Sequence, residues 1–249
     1  FDGVDQRLCI YLGVQQMNDM RHIRSTRYHH WSAEERPALF PRIEYTQSFV
    51  HDRLKRIPQG GSPSAISVLR KLELKCKKTV SHYYGSGKHG FLMHYHRSPR
   101  YWIRAMNFEQ YFKSPTRSRS VHHFRDIYFA NSECGDFVGA LLNSTLFFFW
   151  FVSVGNGRNI TGTDVEQIPV GEGSDELLKK ASNVFYRLMQ DYKKNSFIRK
   201  REDCEFQHRE QRRADGSAAA GNHICSRHAA ALIERWRAAH LASRHIEPV

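Results

Sequence analysis

Between His94 and Phe108 the chain reads HYHRSPRYWIRAMNF, in which Arg97, Arg100 and Arg104 are interleaved with Tyr95, Tyr101, Trp102 and Phe108. Guanidinium groups grip phosphates bidentately and read guanine edges. Aromatic rings stack on unpaired bases or wedge between base pairs. From His94 to Arg125 there are seven lysines and arginines (Arg97, Arg100, Arg104, Lys113, Arg117, Arg119, Arg125) against one acid, Glu109. That imbalance points to a polyanion. A plainer reading, with rings packed inward on a strand and arginines solvated, accounts for part of the stretch. Trp102 and Ile103 fall on opposite faces of a strand, so one of them belongs to a core.

Other residues that resemble chemical sites carry less. GSGKHG (85–90) matches the spacing of a dinucleotide loop, but FLMHYHRSP follows it. A phosphate-binding loop needs a helix N-terminus at that point, so a glycine-rich hairpin loop is expected instead. His82, His89, His94, His96, His122 and His123 crowd together in sequence, with no cysteine or acid at metal-ligand spacing. They read as surface rings near an anionic ligand, and no metal site is expected. Glu73-Leu74-Lys75 imitates the end of a nuclease motif, with Asp52 as its distant acid. Solvated helix charges explain it more simply.

The elements that must hold these side chains are of mixed type. With 249 residues, 40% hydrophobic, the chain can build one large domain with appendages. Its net charge of +13 suits nucleic acid first and an anionic membrane second. Cys9, Cys76, Cys134, Cys204 and Cys225 form no CxxC pair and read as reduced thiols, which places the protein in the cytoplasm. The opening FDGVDQRLCIYLG runs into an apolar strand at residues 4–13 without a leader or cap, as expected of a chain whose natural start lies upstream. A helix is expected over 43–57, IEYTQSFVHDRLKRI, and a second over Ala65–Cys76 capped by Ser64. TVSHYY, FLMHYH, YWIRAMNF and SVHHFRDIYFA have the β-branched and aromatic content of strands. The uncharged run Phe137–Gly157 is interrupted by Asn143, Ser144 and Thr145. It reads as one buried helix opened by Asp136, with Leu141, Leu142, Phe147, Phe148 and Trp150 in the core, and not as a membrane span. A loop at 155–164, a short extended piece at 165–170 and an amphipathic helix from Asp175 to about Asn195 follow. The order is α+β and not a regular βαβ alternation.

Several blocks carry a resemblance. FDGVDQRLCIYL, HRSPRYWIRAMNF, ALLNSTLFFFWFVSVGNGRNITGTDVEQIPV and NSFIRKREDCEF together resemble the C-terminal region of N6-adenine DNA methyltransferases of bacterial restriction–modification and phage-exclusion systems, type IIG enzymes among them. The resemblance implies three parts. Residues 1–36 would be the tail end of a methyltransferase catalytic domain, contributing its terminal strand. Residues 37–207 would be a TaqI-type target recognition domain of mixed strands and helices. Residues 208–249 would be an atypical Ala/Arg-rich tail, helical or disordered. The family's glycine-rich methyl-donor loop and its catalytic Asn-Pro-Pro-Tyr or Phe tetrapeptide are both missing. Ser98-Pro99-Arg100-Tyr101 imitates the latter, but arginine stands where the family has its second proline.

The resemblance therefore implies duplex-DNA recognition for an upstream catalytic domain that binds S-adenosylmethionine and flips the base; no catalytic, cofactor or metal residue is expected here. DNA contact is expected from Arg97, Arg100, Tyr101, Arg104, Arg117, Arg119 and Arg125, and from Arg158 and Asn159 in the loop after the apolar helix. The strand arginines are expected to read bases, and Arg117 and Arg119, in a Ser-rich loop, to hold phosphates. A standalone RNA- or single-strand-binding module is the alternative, distinguished by preference for unpaired strands. With the donor loop and tetrapeptide missing, the purified chain is expected to transfer no labelled methyl group from S-adenosylmethionine to duplex DNA; transfer would overturn the assignment to a recognition part.

Overall fold

In the computed structural model the described residues are 23–27, 29, 32, 34–99, 103–115, 123–171, 174–201 and 204–209. The strand expected at 4–13, and the tail from 210 on, lie outside them. In chain order the elements are β1 (Arg24–Ser25), β2 (Thr46–Gln47), α1 (Pro63–Lys75), β3 (Lys78–Thr79), β4 (Phe91–His96), β5 (Ala105–Met106), β6 (Phe112–Lys113), β7 (Phe124–Phe129), α2 (Ser132–Leu142), α3 (Thr145–Val154), α4 (Gly162–Glu166), β8 (Pro169–Val170), α5 (Asp175–Lys194), β9 (Ser196–Arg201) and β10 (Cys204–Arg209). The architecture is α+β with small antiparallel sheets: a three-stranded sheet β5-β4-β7, a second ordered β6-β10-β9, and the pairs β1–β2 and β3–β8. The β1–β2 pair spans the boundary expected at 36/37, and β10 runs to Arg209, past the boundary expected at 207.

Local chemistry sets the helix starts. Ser62 caps α1 through Ala65 N–H, with Pro63 in the first turn, so the cap lies two residues before the expected Ser64. Asn131, Ser144 and Ser174 cap α2, α3 and α5 in the same way. Helix α2 therefore starts at Ser132 and not at Asp136. In α5, Asp175 and Glu176 lie in the first turn and Lys193 and Lys194 in the last, matching the helix dipole. Gly85–Gly90 leads directly into the strand β4, where a phosphate-binding loop would need a helix. The expected strand TVSHYY before it is β3 followed by a 3-10 turn at Val80–Tyr83, and β4 pairs with β5 and β7, so the loop does not close a hairpin. Gly90 has a φ of +127°, and a Cβ there would lie 2.2 Å from the Phe129 carbonyl oxygen.

Two expected helices are not formed as expected. Residues 43–57 hold β2 and a turn in which His51 N–H bonds to the Arg56 carbonyl, with Lys55 left-handed at φ 52°. Tertiary bonds outweigh the local period here: Arg56 Nη1 bonds Asp164 Oδ1 at 2.9 Å and the Val154 carbonyl at 3.2 Å, and Gln59 N–H bonds the Ser153 carbonyl. The apolar run at 137–154 is two helices, α2 and α3, bent by 66°. Asn143 is the reason. Its side chain is 2% exposed; Nδ2 donates to the carbonyls of Gly139 (2.8 Å) and Ala105 (2.9 Å), while Oδ1 accepts from Ala105 N–H (3.2 Å) and the Tyr192 hydroxyl (3.3 Å). It thus pairs with the free edge of β5 as a neighbouring strand would. Among the described residues no single helix is long and apolar enough to cross a membrane.

The core lies between the Phe91–Met93–Tyr95 face of the central sheet and α2, α3 and α5. Leu142, Phe147 and Trp150 are fully buried, as expected; Leu141 and Phe148 are half-buried against them. Gly139 lets α5 and the sheet close on α2, since a Cβ there would meet Phe185 at 2.5 Å and Met93 at 2.7 Å. Leu142→Ala should cost roughly 2–5 kcal/mol of unfolding free energy. Asn143→Ala, which strands buried backbone groups of β5, should cost about 1–3 kcal/mol. Urea denaturation checks both, and a change near zero at Leu142 would contradict its burial.

Candidate nucleic-acid interface

The pairing of β4 decides which side chains meet. In the antiparallel register, His94 faces Asp126 and His96 faces Phe124 on one side, while Met93 faces Ile127 and Tyr95 faces Arg125 on the other. The ladder continues past the strand ends: His96 N–H bonds the Arg104 carbonyl at 2.9 Å and Arg97 N–H bonds the His123 carbonyl at 2.8 Å. His96, Arg104 and His123 are thereby brought together from three segments. The His96 and His123 rings lie parallel within 6°, with centroids 5.9 Å apart.

The loop after α3 docks on the same end of the sheet. Ile160 N–H bonds the Arg97 carbonyl at 2.7 Å, and Ser98 Oγ bonds Asn159 Oδ1 at 2.7 Å. The Asn156 side-chain oxygen accepts the N–H groups of both Arg158 and Asn159, and Gly157 closes the turn at φ +64°. This turn exposes Arg158 and holds Asn159 half-buried. The loop's far end is fixed by α4, where Thr161 and Asp164 form a capping box and buried Asp164 receives Arg56. Trp150 Nε1 donates to the Asp164 carbonyl at 3.2 Å, tying that anchor to the core.

Five of the expected contact residues are therefore placed: backbone and loop bonds bring Arg97, Arg104, Arg158 and Asn159 to one end of the sheet, and Arg125 stands beside Arg97, both acting on the Tyr95 hydroxyl. Arg125 lies on the Tyr95 face, beside a cleft of about 230 Å³ lined also by Tyr84, Gly162 and Glu166. Arg100, Tyr101, Arg117 and Arg119 lie outside the described residues. Among the described residues, no carboxylate forms an ion pair with Arg97, Arg104 or Arg158. Arg97 Nε is buried and without a partner. Arg104 is half-buried, and loss of solvent pulls its guanidinium below the ordinary arginine value. A guanidinium set into a wall in this way suits a phosphate passing over it more than a base deep in a groove.

The plainer reading of the opening stretch holds for some of its rings. Tyr95 and Ile103 are 2% and 1% exposed, and Phe108 lies under the Lys193 ammonium at 4.9 Å from its centroid. Burial pushes the Tyr95 hydroxyl up to about 12, so it stays protonated. Glu73 is not merely solvated: it accepts Asp52 N–H and stands 3.4 Å from His51 Nδ1. That carboxylate binds a loop to α1. Ser98 was expected only as part of a false tetrapeptide, whereas His96 and His123 were expected as surface rings near an anionic ligand, and His96 is instead half-buried. The alternation His94-Tyr95-His96 and the short HRSP segment were the available signals. Tyr84 and Glu166 carried none.

No protein-family model, no curated protein and no solved structure matches this chain.

His96 supplies a pH test. Its Nδ1 accepts Ser98 N–H at 3.2 Å, which fixes the neutral ring with its proton on Nε2. Burial, with Arg104 beside it, drives this imidazole from 6.5 down to about 4. Below the unfolded value the unfolded chain binds a proton that the folded chain refuses, so stability falls as pH drops from 6.5 toward 4. Buried His51, also lowered, acts in the same direction. His96→Gln should reduce, without abolishing, the loss of urea midpoint between about pH 7 and about pH 5; an unchanged slope would refute the assignment.

Proposed function

We propose that this chain is the duplex-DNA recognition part of a site-specific adenine-N6 DNA methyltransferase of a bacterial restriction–modification system, acting in the cytoplasm. The observation that carries the reading is the group of arginines at one end of the central sheet, Arg97, Arg104 and Arg158, unpaired by any described carboxylate. A chain with a formal charge of +13 that leaves its cations unpaired at one place supports a phosphate-bearing partner. The sequence resemblance supplies the choice of DNA and of adenine methylation. Catalysis and S-adenosylmethionine binding then belong to a domain upstream. Arg104, set in the sheet end, grips a phosphate. Arg158 and Asn159, on a turn braced by Asn156, reach base edges.

Binding of labelled duplex, competed with single strands and RNA across a salt series, tests this. Duplex should win the competition. Arg104→Ala should weaken all duplexes alike and lower the log–log salt slope by about 0.9. Arg158→Ala should cost roughly 1–3 kcal/mol of discrimination between a selected site and scrambled sequence. Preference for unpaired strands would replace the reading with a single-strand or RNA-binding module.

A further inference from the structure

The cleft on the Tyr95 face is assembled from three segments. Antiparallel pairing of β4 with β7 sets Arg125 opposite Tyr95. Tyr84 bridges to Phe129, and Gly85 N–H bonds the Tyr128 carbonyl at 2.9 Å, which sets Tyr84 beside β7. Helix α4 closes the third side. Its last residue, Glu166, folds back so that Oε1 lies 3.3 Å from where a Cβ on Gly162 would stand. Arg125 and Glu166 thus line one cleft with opposite charges, yet among the described residues neither side chain has an ion pair or hydrogen bond. The hydroxyls of Tyr84 and Tyr95 likewise have no hydrogen-bond partner among the described residues, although Tyr95 is only 2% exposed. Burial, with Glu166 adding to it, raises both hydroxyls, so they stay protonated. Asp126, also at the cleft, is engaged by His94.

Opposite charges that face a space without touching select what can enter it. A bare anion is opposed by Glu166 and a bare cation by Arg125. The ligand must present acceptors on one side and donors on the other. Guanine does so in one plane: O6 and N7 accept, while N1–H and the 2-amino group donate. Adenine turns an amino donor toward the arginine and a bare N1 toward the carboxylate. The space of about 230 Å³ exceeds the about 150 Å³ that encloses benzene, which leaves room for a two-ring base. A zwitterionic amino acid carries the same two charges. The chain's charge of +13, with Arg97 acting on the Tyr95 hydroxyl from the same face, favours a ligand that brings a phosphate.

We propose that this cleft is a pocket for one unpaired guanine base, held by Arg125 at O6 and N7 and by Glu166 at N1–H and the 2-amino group. The inference goes beyond the duplex reading, in which bases stay paired, and does not depend on it.

Isothermal titration calorimetry of the full chain with purine mononucleotides tests the pocket. Guanosine monophosphate should bind about tenfold more tightly than adenosine monophosphate, with inosine monophosphate, which lacks the 2-amino group, between them. Arg125→Ala should weaken guanosine monophosphate about tenfold. Glu166→Gln, whose amide can pair with adenine, should erase the preference. Lys179→Ala, which removes an exposed cation outside the cleft, should change neither. Equal affinity for the guanine and adenine nucleotides, a loss with Lys179→Ala as large as with Arg125→Ala, or displacement of the nucleotide by free glycine would each overturn the pocket. Competition by an oligonucleotide with one guanine then separates the sources. Displacement by the single strand and not by its paired duplex identifies a guanine within a strand. Displacement by neither identifies the free nucleotide, and equal displacement by both marks a phosphate contact and overturns the pocket. Guanine selectivity without duplex binding removes the duplex reading and keeps the pocket; duplex binding without guanine selectivity does the reverse.

Discussion

A single buried carboxamide organises much of this fold. Asn143 stops one apolar helix and lets the next begin, and two of its four hydrogen bonds satisfy an otherwise open strand edge, the others reaching the Gly139 carbonyl and the Tyr192 hydroxyl. Leucine in its place would lengthen the helix and leave the Ala105 N–H and carbonyl without partners in a dry interior. The backbone of β5 is set by these bonds, and Arg104 stands one residue before it. A polar group inside the core thus fixes where a charge emerges at the surface. Tyr192, the last buried residue of α5, closes the network through its hydroxyl and brings that helix into register with the sheet.

The second constraint is the ion pair of Arg56 with Asp164. Asp164 is 2% exposed, and it also takes the backbone and hydroxyl protons of Thr161. A carboxylate so enclosed must be fully hydrogen-bonded to remain charged. Meeting that demand pins the segment before α1 to the end of α3 and fixes the loop that carries Arg158. The two arrangements act on opposite sides of the same surface: Asn143 sets the strand side, and Asp164 sets the loop side.

Legibility in the sequence followed the range of the interactions. α1 and α5 were readable because their apolar period is local, and β4 and β7 because aromatic and aliphatic residues stand close together in each. Residues 43–57 misled because the period is only one local preference, while Arg56 answers to Asp164, far along the chain. The bend at Asn143 could not be read, since Ala105 and Tyr192 give no sign from either side that they await a carboxamide. The β9–β10 hairpin lay inside a block quoted only for its resemblance, and its strand character was overlooked. In the interface, the excess of arginines was plain from composition. That Arg97 and Arg125 share the Tyr95 face while Arg104 stands opposite His96 depends on strand register, which composition does not contain.

The bond between Ser98 and Asn159 joins residues 61 apart in sequence, and Asn143 reaches back 38 residues to Ala105. Contacts of such span form late, because the intervening chain must be ordered before they reward it. During synthesis β4 emerges well before the turn at Asn156. For that interval the nascent chain carries arginines without the frame that aims them. The basic surface is thus created by the closing steps of folding, and a chain that stalls before α4 has the charge of that surface without its shape.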